Sequence, residues 1–128
     1  MSVLDTMARL ELEELYQVLR TRVWCAETSY DPGYWKDEKE GDGQCYVTAL
    51  LVKTLYGGKV LRAETEDGSI HYWNELPNGI QIDLTRKCLR PYPELKGKPR
   101  NLINWKNKRY QLLLKRYDDF LKNEGKQE

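Results

Sequence analysis

The sequence predicts an α+β fold: a buried helix packed on one small antiparallel sheet, with flanking N- and C-terminal helices. Three observations carry this expectation. Apolar residues recur at the helical period near both ends of the chain. A nearly continuous apolar run, Ala49 to Val52 with Leu55, lies between Gly43 and the stop Gly57-Gly58. Three strand-like segments follow it, separated by Glu66-Asp67-Gly68 and Pro77-Asn78-Gly79, which are hairpin turn sequences. Hairpins make consecutive strands antiparallel. A length of 128 residues suits a single domain, 1–128, with its core at about residues 41–86.

The elements follow in order. Residues 3 to about 20 read as an amphipathic helix, with Val3, Met7, Leu10, Leu15, Val18 and Leu19 on one face and Glu11, Glu13 and Glu14 on the other. Residues 25–43 read as a long loop bearing Asp31-Pro32-Gly33, a charged stretch Lys36 to Glu40, and Gly41-Asp42-Gly43. Loops of this length usually carry function. The second helix begins near Gln44–Cys45, capped by Asp42 or Gly43, and ends near Tyr56. Lys59–Thr65, Ser69–Glu75 and Ile80–Leu84 are the strand candidates. Residues 86–108, with Pro91, Pro93, Gly97 and Pro99, read as irregular. A last helix over about 108–123 gathers Tyr110, Leu113, Leu114, Tyr117, Phe120 and Leu121 into one stripe.

Composition removes several classes. No apolar run approaches the roughly 20 residues a membrane span needs, and Met1-Ser2-Val3-Leu4-Asp5 leads into charged sequence rather than a signal peptide. A cytoplasmic protein without membrane partners is the expectation. Three cysteines and one histidine, with no C-x-x-C, fit neither a disulfide framework nor a zinc site. No metal or organic cofactor is expected. A thiol nucleophile with one imidazole partner remains. The net charge of +1 conceals an asymmetry: residues 1–85 hold 8 Lys/Arg and 15 Asp/Glu, residues 86–128 hold 13 and 5. Packing of the two halves against each other is the favoured reading. Nucleic-acid binding by Lys96–Arg109, interleaved with Trp105 and Tyr110, is the weaker one.

Cys45 stands at the first turn of the buried helix, where free backbone N–H groups favour a thiolate and can hold an oxyanion. Gly43 lets a substrate approach the backbone. His71 lies in the second strand candidate, and Asp83 in the third between Ile82 and Leu84. With a three-residue loop Pro77-Asn78-Gly79, Trp73 faces Asp83 and His71 is its diagonal neighbour. With a five-residue loop, His71 faces Asp83 directly. Both registers put His71 and Asp83 on one face of the sheet. A carboxylate beside an imidazole fixes its tautomer and supports its charged form, as a thiol's base requires. Cys25 and Cys88 read as structural, and Trp24, Trp35 and Trp105 as packing residues.

Gly43-Gln44-Cys45 opening a helix, His71-Tyr72-Trp73-Asn74-Glu75 on a strand and Ile82-Asp83-Leu84-Thr85 at a strand end resemble the transglutaminase-like, papain-type cysteine enzyme core. Together with Glu27-Thr28-Ser29-Tyr30 they resemble, more closely, the small bacterial YunG-like family. The resemblance implies Cys45 as nucleophile, His71 as general base and acid, and Asp83 as its orienter. Lys39-Glu40-Gly41 stands where papain-type enzymes often place an oxyanion glutamine, so Gln44 is the first candidate for a second oxyanion donor, with Asn74 or Ser29 next. Trp73 is a candidate wall of the substrate groove. The expected chemistry is cleavage or transfer of a peptide or small amide or ester through a thioester on Cys45. A catalytically inactive binding domain and a basic-tailed adaptor are the rival readings.

Overall fold

The computed structural model describes residues 3–35, 41 and 43–126, with side chains from residue 11 to residue 123. The charged stretch Lys36–Glu40 and the candidate cap Asp42 lie outside the described residues.

Among the described residues, three α-helices, α1 (Val3–Val18), α2 (Cys45–Tyr56) and α3 (Lys108–Lys126), accompany four strands, β1 (Lys59–Glu64), β2 (Ile70–Glu75), β3 (Gln81–Ile82) and β4 (Lys98–Pro99). The strands form one antiparallel sheet in the order β3-β2-β1-β4. The α+β class and the three main strands agree with the sequence reading. The short edge strand β4 differs from it: a two-residue strand ending in a proline carries no alternation, and the long-range pairing of Leu61 with Pro99 creates it. The first helix also continues as a π-helical turn, Leu19–Val23, where Trp24 N donates to Leu19 O at 2.8 Å. A 3-10 turn, Ala26–Thr28, opens the segment expected to be loop.

Helix α2 is buried because it is apolar on nearly every side. Val47, Thr48, Ala49, Leu50, Leu51 and Val52 are consecutive buried positions. One side rests on β1 and β2, another on α3. Asn74 locks sheet to helix: its Nδ2 donates to Ala49 O at 2.9 Å inside the core. Trp24 Nε1 donates to Thr48 Oγ1 at 3.0 Å from the other side. Tyr110 brings α3 onto the same helix through its hydroxyl, 2.6 Å from Thr54 Oγ1. Arg116 Nε donates to Val23 O at 2.6 Å, tying α3 to the π-helical turn.

The β2–β3 hairpin adopts the three-residue loop. Leu76 N donates to Ile80 O at 2.8 Å, and Gly79 takes φ +88°, the left-handed conformation glycine adopts without a Cβ penalty. Asn74 therefore pairs with Ile82 and Glu75 with Gln81. Continuing that register puts Trp73 opposite Asp83. Strand β3 stops there because the chain curls into a compact turn. Arg86 N donates to Asp83 O at 3.3 Å and Asp83 N to Leu89 O at 3.2 Å. Leu89 sits at φ 57° with its side chain buried, so core burial outweighs the roughly 1–2 kcal/mol cost of the left-handed region.

The sheet face opposite α2 carries Trp73, whose ring lies against Gly97. A Cβ at Gly97 would stand 2.5 Å from the Trp73 ring and 2.9 Å from Leu61 Cβ. Gly97→Ala should therefore lower unfolding stability by about 1–3 kcal/mol. A urea titration followed by tryptophan fluorescence measures it. Gly68→Ala is the control: its φ of +85° is strained for alanine but a Cβ meets nothing within 4 Å, so the loss should stay near 1 kcal/mol.

Candidate active site

Asp83 organises the site. It is 1 % exposed, and both carboxyl oxygens are engaged. Oδ1 accepts from Thr85 N at 3.0 Å and Thr85 Oγ1 at 2.6 Å. Oδ2 lies 2.6 Å from His71 Nε2. The D-x-T spacing is an Asx-type turn, so a local sequence signal builds half of the cradle. Thr85 is thus a positioning residue that the sequence reading quoted without a role.

His71 is held from several directions. Its side chain is 17 % exposed. The ring stacks on Trp73, centroids 5.8 Å apart, and meets Tyr92 edge-on at 5.5 Å. Tyr92 comes from the Pro-rich segment 86–108, where no sequence signal marks it. With Nε2 given to Asp83, the remaining ring nitrogen is Nδ1. The Cys45 side chain stands near enough to the ring to act on its charge. Burial disfavours the charged ring and is the largest single influence on it. The hydrogen bonds to Asp83 and Cys45, with the charges of both, outweigh it and push the imidazole up to about 9.

Cys45 is the first residue of α2, with Gln44 as the cap residue and no side-chain cap bond from it. The chain before it is tightly packed. Gly43 has φ +70°, and a Cβ there would collide with Ser29 Oγ. Tyr30 N donates to Gly43 O at 2.8 Å. A Cβ at Gly41 would press on the Thr85 backbone, so the turn leading to Cys45 also abuts the turn holding Asp83.

The candidate oxyanion donors fall elsewhere. Gln44 is fully buried, its Nε2 donating to Cys25 O at 3.0 Å and its Oε1 accepting from Thr28 Oγ1 at 2.8 Å. Its amide braces the 3-10 turn against the helix start. Asn74 is spent on Ala49 and lies on the opposite face of β2 from His71. Ser29 is buried against Gly43. Trp73 is core rather than groove wall: 1 % exposed, with Nε1 donating to Gln81 Oε1 at 2.9 Å. Cys25 is half-buried; Cys88 is exposed, with its thiol 3.8 Å from Arg90 O. Among the described residues no group of three or more His, Cys, Asp or Glu could hold a metal ion, and no helix is long and apolar enough to cross a membrane.

The class defined here is an α+β protein in which the start of a buried helix meets a histidine–aspartate pair on a small antiparallel sheet. The chain belongs to the YunG family: the family profile, described as "YunG protein", matches residues 11–122. It is similar to "Uncharacterized protein YunG" of Bacillus subtilis (strain 168), 35 % identical over 51 residues. That match covers 40 % of this chain and 43 % of the relative's length. No solved structure matches the chain.

Because the folded imidazole titrates near 9 and an unperturbed one near 6.5, the folded state binds the proton more tightly than the unfolded state does. Its stabilising contribution is complete below about pH 6.5 and is lost as pH rises through about 9. His71 is the lone histidine, so its NMR titration is a single curve. The expected result is a midpoint well above 6.5, lowered in Asp83→Asn and in Cys45→Ala. A midpoint at or below 6.5 in the unmodified protein contradicts the coupled pair.

Proposed function

We propose that this chain is a cysteine-dependent acyl hydrolase or transferase with a papain/transglutaminase-like core, in which Cys45 is the nucleophile, His71 the general base and acid, and Asp83 its orienter. One observation carries the reading: the imidazole is bound on Nε2 by a buried carboxyl, and the Cys45 side chain at the start of α2 is near enough to act on the charge of the same ring. That combination suits proton transfer from sulfur.

In the proposed reaction the proton of the Cys45 thiol already rests on the His71 imidazole, which titrates near 9, and the sulfur attacks the carbonyl carbon of an amide or ester. The carbon–sulfur bond forms as the bond to the leaving nitrogen or oxygen breaks. His71 returns the proton to the departing amine or alcohol, leaving a thioester on Cys45. Water then attacks the thioester, losing a proton to His71, and releases the acid and the thiol. An amine in place of water gives transamidation. Backbone N–H groups at the start of α2 stabilise the developing oxyanion. The substrate is a peptide or a small amide or ester, and the setting is the cytoplasm.

Iodoacetamide tests the nucleophile. Near pH 7, Cys45 should alkylate about tenfold or more faster than the exposed Cys88 and the half-buried Cys25, read site by site by mass spectrometry. His71→Ala should remove the advantage, and Asp83→Asn should reduce it. If Cys45 reacts no faster than Cys88, or is indifferent to His71→Ala, the catalytic reading is wrong and the fold serves binding instead.

A further inference from the structure

We infer that Tyr92 is a positioning residue of this site, whose ring restrains the His71 imidazole in the orientation that meets Asp83. The inference deepens the proposed function and rests on His71 being the base for Cys45.

The imidazole has two aromatic neighbours of different kinds. Trp73 is buried and fixed by its own hydrogen bond, Nε1 to Gln81 Oε1. Tyr92 is 40 % exposed and lies outside the hydrophobic core. Among the described residues its ring meets the His71 ring edge-on at 5.5 Å and the Arg86 guanidinium, whose carbon is 3.9 Å from its centre. Such a ring buries little of the core. What it orders is the side chain it touches.

The backbone that carries Tyr92 is stiff and is tied to Asp83. Pro91 and Pro93 flank it; a proline fixes its own φ and disfavours helical backbone at the residue before it. Leu95 N donates to Tyr92 O at 3.1 Å, closing a turn. Arg86 N donates to Asp83 O at 3.3 Å, and Asp83 N to Leu89 O at 3.2 Å. Arg86 Nη1 donates to Arg90 O, which holds the guanidinium over the Tyr92 ring. The carboxyl that binds Nε2 and the ring that meets the imidazole thus belong to one connected segment, residues 83–92. A histidine side chain has several staggered rotamers, and leaving the observed one breaks the bond to Asp83. Contact with a held aromatic ring favours the bound rotamer by about two- to tenfold.

The proton on His71 Nε2 tests the restraint directly. Shared with a buried carboxyl, it should give a far-downfield NMR signal that exchanges slowly with water. In the full-length protein, Tyr92→Ala should quicken that exchange by about threefold or more and slow iodoacetamide at Cys45 by about two- to tenfold. Tyr92→Phe keeps the ring and should leave both readings within about twofold of the unmodified protein. Lys115→Gln, an exposed change on α3, should do the same. The urea midpoint should move little in Tyr92→Ala, because Tyr92 lies outside the core. A lowered midpoint with the exchange unmoved makes the role merely structural and overturns the inference. So does a signal absent from the unmodified protein, a Cys45 rate unmoved by Tyr92→Ala, or an equal change in Tyr92→Phe. Tyr92→Leu, which keeps apolar bulk without a ring, decides the matter if Tyr92→Ala does not fold. Failure of the nucleophile reading shows separately, as an iodoacetamide rate at Cys45 of the unmodified protein no greater than that at Cys88.

Discussion

A carboxyl group removed from water has to find its hydrogen-bond donors inside the protein, and Asp83 finds three. Two are Thr85 groups that the local turn delivers, and the third is the imidazole of His71. Each holds its neighbour in place. The Thr85 donors fix Oδ1, which aims Oδ2 at Nε2 of His71. Around these groups Leu84 and Leu89 are buried on either side of the turn, and Trp73 and Tyr92 contact the ring. Leu89 accepts a left-handed backbone to put its carbonyl on Asp83 N–H. A strained, buried leucine in a loop is explained by what it encloses.

The second requirement is that Cys45 reach the ring, and this depends on polar groups that perform no chemistry. Asn74 holds β2 to α2 through Ala49 O, and Gln44 holds the helix start to Cys25 and Thr28. Gly43 brings the chain within contact of Ser29, and Gly41 brings it against Thr85. The residues next to Cys45 and His71 in sequence are therefore structural, while Tyr92, which meets the His71 ring in space, comes from a distant segment.

The charge asymmetry is organised in a matching way. Among the described residues the ion pairs of α3 lie within the helix, Lys115 with Asp119 and Lys122 with Asp118, rather than across to the acidic first half. Helix α3 is docked instead by its apolar stripe and by the Tyr110 and Arg116 hydrogen bonds. Arginines of the connecting segment lie on tyrosine rings, a placement that holds a cation at a surface without cancelling its charge.

How much was legible in the residues depended on the range of the interaction. Helical periodicity located α1, α2 and α3, and turn chemistry located the hairpins, because these signals are local. The residues left a three- or a five-residue hairpin loop open, and in either the period of two in a strand places His71 and Asp83 on one face. That part of the site was determined by sequence alone. Tertiary structure decided the rest. It turned Gln44 and Asn74 inward, because each met a buried backbone carbonyl that only the folded chain supplies. It made β4 from a proline-bearing segment by pairing it with β1, and it brought Tyr92 to the histidine. A side chain's use follows from the donors, acceptors and rings around it, and here those neighbours stand many residues away along the chain.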